Sequence, residues 1–148
     1  MLEHPPTPGD LIAVAALIVG FAVTVIMFRV QRELWVQERH PKWPNWLSWS
    51  DYLIVTSVIL AILALIALLA IPGITQYRRA LAAASSVAAI ILQAGYIPGI
   101  LAHYRIEIGR HRTGDREKGE PAERVIVYVS VFLAALVFIF VLRQHLKQ

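Results

Sequence analysis

Four stretches of the sequence, residues 11–28, 52–77, 80–102 and 125–142, hold no charged side chain, and each is at least 18 residues long. An α-helix rises about 1.5 Å per residue and the hydrocarbon core of a bilayer is roughly 30 Å thick, so each run can cross it or nearly do so. Backbone groups inside lipid are satisfied only by a helix or a closed barrel, and barrel strands alternate in polarity instead of reading LIVTSVILAILALIALLAI. The expected fold is therefore all-α: an integral membrane protein with four transmembrane helices in an antiparallel bundle, one domain over residues 1–148. The spans are expected at about 11–31, 51–72, 79–103 and 122–143, with cytoplasmic loops at about 32–50 and 104–121.

Composition agrees, since 57% of the 148 residues are hydrophobic and only 16% are charged, outside the range of ordinary soluble domains. There is no cysteine, which excludes disulfides, thiolate metal sites and thiol redox chemistry. The opening MLEHPPTPGD carries acids and prolines but no Lys or Arg, the reverse of a secretory n-region, so the first span is expected to stay in the mature protein.

Loop charge sets the orientation. The first and third connections, counting Arg29, hold ten of the fourteen Lys and Arg, so the positive-inside tendency puts both on the cytoplasmic face and both termini outside. This accounts for the formal charge of +4 without nucleic acid. The expected location is the inner (plasma) membrane of a bacterium. The expected partners are the lipid bilayer, anionic lipid headgroups at the basic loops, and a second copy or a larger membrane complex.

All four tryptophans, Trp35, Trp43, Trp46 and Trp49, fall within fifteen residues. Trp and Tyr favour the headgroup level, so these four, with Tyr52, Tyr77 and Tyr104, are expected to be interfacial anchors. The competing use is an aromatic cradle for a quinone, pigment or headgroup. Locally, Arg29 and Glu33 lie four apart on one helix face, His40-Pro41 ends the first helix, Pro44 suits a first helical position, and Ser50 is expected to cap the second helix.

Helices in lipid associate through small residues. Ala16, Gly20 and Thr24 form such a row on the first helix, and Ala84, Ala88, Gly95 and Gly99 lie on the third, which is expected to be the most buried. The second and fourth helices are expected to face lipid more. Ile-Pro-Gly-Ile occurs at both 71–74 and 97–100, either a helix exit used twice or the echo of an inverted repeat.

No acidic, basic or histidine side chain lies inside any of the four runs, although such groups are the usual mark of function at membrane depth. The chain thus lacks the embedded Glu of proton-coupled exporters, the Cys pairs of quinone-linked disulfide enzymes and the paired His of b-type cytochromes. Ser85, Ser86, Gln93 and Tyr96 either hydrogen-bond between helices or line a polar path. The five histidines show no HxH or HxxxH spacing and are expected to be solvated or interfacial. No catalytic set, metal or cofactor is expected. The function expected is that of a non-catalytic accessory or anchoring subunit or homo-oligomer; the alternative is an oligomeric channel or transporter lined by the third helix.

Overall fold

A computed structural model describes residues 7–39, 48–69, 75–103 and 121–146. Among them all regular structure is helical: α1 (Pro8–Arg39), α2 (Asp51–Leu69), α3 (Gln76–His103) and α4 (Pro121–Leu146). All four helices are long and apolar enough to cross a membrane. The expectations for His4, His40-Pro41, Trp43, Pro44, Trp46, Pro72, Tyr104 and His111 lie outside the described residues.

The helix starts follow from local hydrogen bonding. Asp10 Oδ2 accepts from the Thr7 amide at 2.8 Å and the Thr7 hydroxyl at 2.7 Å, and the Asp10 amide returns a bond to Thr7 Oγ1. This is a reciprocal capping box around Pro8, whose missing N–H costs nothing in the first turn. α2 begins the same way: the Ser48 amide donates to Asp51 Oδ2 at 3.0 Å, and the Asp51 amide donates to Ser48 Oγ at 3.2 Å. Ser50, expected to be the cap of this helix, is not; its own hydroxyl is engaged elsewhere.

Four apolar clusters run along the helices. Leu11, Ala64, Leu68, Ala82 and Ala83 form one. Ala15, Ile18, Ala61 and Ala89 form the next. Leu53, Ala88, Leu92, Val127 and Ala134 form a third, and Ala22, Ile54 and Tyr96 the fourth. From the first cluster through the second to the fourth, residue numbers rise along α1 and α3 and fall along α2.

α3 is the most buried helix and touches the other three, most extensively α4 and α2. Its alanine row at 80, 82, 83, 84, 88 and 89 allows that closeness because a methyl group adds little thickness. The order of the rest departs from expectation. α2 is the second most buried, while α1 is nearly as exposed as α4. α1 turns Leu11, Ala15, Ile18 and Ala22 inward, so Ala16, Gly20 and Thr24 lie on its outer face. A side chain built on Gly20 would meet nothing within 4 Å. Large apolar side chains including Leu17, Phe28, Ile59, Phe132 and Phe140 are likewise exposed.

Pro98 lies inside α3, which continues five residues beyond it to His103. The second Ile-Pro-Gly-Ile therefore does not end its helix.

Candidate functional site

At one end of the helices, polar side chains from all four elements converge. Glu123, in the first turn of α4, is 0% exposed. Its Oε1 accepts from the Ser50 amide at 2.8 Å and the Ser50 hydroxyl at 3.0 Å. Its Oε2 lies 2.9 Å from His103 Nδ1, at the last residue of α3. A buried carboxylate without donors costs several kcal/mol, so these three contacts are what allow Glu123 to sit inside. With Glu123 ionised, Nδ1 must carry the hydrogen, which fixes how the imidazole is turned.

Two glycines let this cluster close. A Cβ on Gly95 would collide with Ser130 Oγ and come within 2.6 Å of Ser130 Cβ, while one on Gly99 would stand 2.5 Å from Ser50 Oγ. Ser130 meanwhile donates to the Ile126 carbonyl at 2.8 Å. Gly95 and Gly99 thus bring α3 against α4 and the start of α2, and the approach at Gly99 leaves Ser50 placed to reach Glu123.

α1 joins through Arg29. Its Nε and Nη2 reach Asp51 Oδ1 and Oδ2 at 3.2 and 3.1 Å, a two-point fork, and its Nη1 reaches Glu33 at 3.0 Å, as the fourfold spacing suggested. Asp51 therefore serves twice, capping its own helix and holding α1. Tyr96, also buried, packs with Ala22 of α1 and Ile54 of α2.

The arrangement does not fit acyl-transfer chemistry. In a hydrolytic triad the imidazole stands between hydroxyl and acid and removes the hydroxyl proton. Here the acid stands between them, and Ser50 donates to Glu123, leaving no activated nucleophile. Among the described residues no group of three His, Asp or Glu is placed to hold a metal ion.

Other expected site residues are distributed as follows. Gln93 Nε2 donates to the Ile18 carbonyl of α1 at 2.8 Å and lies 3.3 Å from Ser57 Oγ of α2, so it bridges three helices. Ser85 and Ser86 are buried, and Ser86 Oγ has no hydrogen-bond partner among the described residues. Ala84 and Ala88 are buried on α3. Trp35 is exposed with the Arg39 guanidinium 4.1 Å above its ring. Trp49, Tyr52 and Tyr77 are exposed.

Sequence reasoning missed Glu123 and the partner of His103, which was expected to be solvated or interfacial. The histidine is not solvated: its side chain is 13% exposed and faces a carboxylate. A Ser-x-x-Asp signal at 48–51 would have found the true cap of α2. Nothing local in the sequence pairs residue 50 with residue 123.

No protein-family model matches the chain, and neither a curated protein nor a solved structure matches it.

Proposed function

We propose that this chain is a non-catalytic multi-pass protein of the bacterial inner membrane, an accessory or anchoring subunit or a homo-oligomer. In this reading it is an antiparallel four-helix bundle whose Trp-bearing end and basic connections face the cytoplasm and whose termini lie outside. The observation that carries it is the use made of polar chemistry: Ser50, Glu123 and His103 bind the ends of α2, α4 and α3 to one another, Arg29 ties α1 to Asp51 of α2, and Gln93 bonds α3 to α1 and α2. Groups committed to holding helices together suit a scaffold. The exposed apolar side chains on every helix support lipid contact, since in water they would form large apolar patches.

Isolation in a mild detergent, with identification of what co-purifies, tests the subunit reading. A stable partner or a defined homo-oligomer supports it, and a lone monomer counts against it. Single cysteines at Thr7→Cys and Thr113→Cys test orientation: labelling of the second from outside intact cells overturns it.

The channel or transporter reading retains one supporting observation, the unpartnered buried hydroxyl of Ser86 on the helix-contacting side of α3. Ion flux in liposomes that disappears with Gln93→Ala would favour it over the scaffold.

A further inference from the structure

Trp49 forms a small aromatic surface with residues of two helices. Its ring centroid lies 6.2 Å from that of Tyr52 on α2 and 6.4 Å from that of Tyr128 on α4, tilted by 51° to each. The guanidinium carbon of Arg124 is 5.5 Å from the Trp49 ring, within cation–π range. All three rings face outward, at 36%, 54% and 62% exposure.

Arg124 follows Glu123 directly, yet the two point apart. Glu123 turns inward to Ser50 and His103, which leaves Arg124 exposed and without an acidic partner among the described residues. The N-terminus of α4 adds its own partial positive charge beside it.

Below Arg124 the outer face of α4 changes polarity in order. Arg124, Tyr128 and Phe132 follow at fourfold spacing, about 6 Å apart along the axis, and Phe140 continues the exposed apolar surface. On α2, Tyr52 is followed by exposed Val55 and Ile59. Cation, then phenol and indole, then hydrocarbon is the sequence of groups that phosphate, glycerol ester and acyl chain present along one lipid molecule. A peptide or soluble anion has no need of the apolar continuation.

We propose that this face is a binding site for an anionic glycerophospholipid of the leaflet at the Trp49 end. The Arg124 fork takes the phosphate. Trp49, Tyr52 and Tyr128 flank the glycerol region with their N–H and O–H donors, and Phe132 lies along the acyl chain. The inference rests on the membrane reading above and adds selectivity for headgroup charge, which an aromatic belt alone does not provide.

The test uses the full chain reconstituted into vesicles of phosphatidylcholine with or without phosphatidylglycerol of the same acyl chains, followed by native mass spectrometry of the lipid retained. Wild type should retain phosphatidylglycerol in preference. Arg124→Gln should weaken that preference about fivefold, the equivalent of ~1 kcal/mol per basic residue at an anionic surface. Arg124→Lys should keep part of it, and Arg143→Gln, at the far end of α4, should leave it unchanged. The proposal is overturned if Arg124→Gln discriminates as well as wild type, if Arg143→Gln loses as much, or if inorganic phosphate competes with the lipid at equal concentration. A protein that never enters the vesicles defeats the membrane reading itself, an outcome distinct from an inserted protein that ignores headgroup charge.

Discussion

His103 and Glu123, 20 residues apart in the chain, meet at 2.9 Å and join the last residue of α3 to the first turn of α4. Ser50 completes the contact from the start of α2, so one carboxylate ties three helix ends. Arg29, inside α1, joins that helix to the start of α2 through Asp51.

Removing the Glu123 carboxylate should be the most damaging of these changes. Glu123→Ala leaves the Ser50 amide, the Ser50 hydroxyl and His103 without their acceptor in a buried site. Loss of one member of a buried pair costs about 3–5 kcal/mol. Ser50→Ala should cost only about 1 kcal/mol, because the residue 50 amide still donates. Denaturant titration in mixed micelles measures both, and equal midpoints for Glu123→Ala and wild type would refute the role given to this group.

The glycines should divide sharply. Gly95→Ala places a methyl group 2.6 Å from Ser130 Cβ, which no hydroxyl rotation relieves, and overpacking of this kind costs about 1–3 kcal/mol. Gly99→Ala displaces Ser50 Oγ, and with it a bond to Glu123. Gly20→Ala should be neutral or slightly stabilising, since nothing lies nearby and Ala is the better helix former. Thermal melting in detergent ranks them, and Ser130→Gly should recover part of the loss from Gly95→Ala.

Arg29 and Asp51 should behave as a coupled pair. Their side chains are only 12% and 16% exposed and meet at two points, so a double-mutant cycle with Arg29→Gln and Asp51→Asn should give a coupling of about 1–3 kcal/mol. Asp51→Asn alone should cost more than Glu33→Gln, because Asp51 also caps α2. A coupling near zero would reduce the pair to a surface contact.

Gln93→Leu should lower stability by roughly 0.6 kcal/mol, the average for interhelical hydrogen bonds in membranes, with about 2 kcal/mol as the upper end. Chemical unfolding of the purified variant reads this directly. A change far above that range would mean that Gln93 supports more than its bonds to Ile18 and Ser57.

Much of the architecture was legible because apolar length is a local property. Three of the four uncharged runs lie wholly within a helix and the run at 52–77 contains nearly all of α2, while the small side chains of α3 marked it as the most buried helix, since they permit close approach wherever they fall. The same small-residue logic said less about α1: Ala16, Gly20 and Thr24 have the spacing of a contact face, but Ala15, Ile18 and Ala22 are the ones turned inward. Periodicity defines a face without saying which way it turns.

The polar cluster was illegible for a related reason. His103, Glu123, Ser50 and Arg29 lie at or beyond the edges of the apolar runs, where a charged residue ordinarily meets water or headgroups. Their burial follows from the approach of separate helices, permitted by Gly95 and Gly99.

The amino-acid order by itself determined four helices able to cross a bilayer, because helix formation and the preference for lipid depend on consecutive side chains and backbone bonds within one segment. Tertiary structure alone decided that Glu123 would be buried against Ser50 and His103 while Arg124 beside it stayed exposed. Adjacent residues on a helix point about 100° apart, and only the placement of neighbouring helices settles which of two neighbours is enclosed.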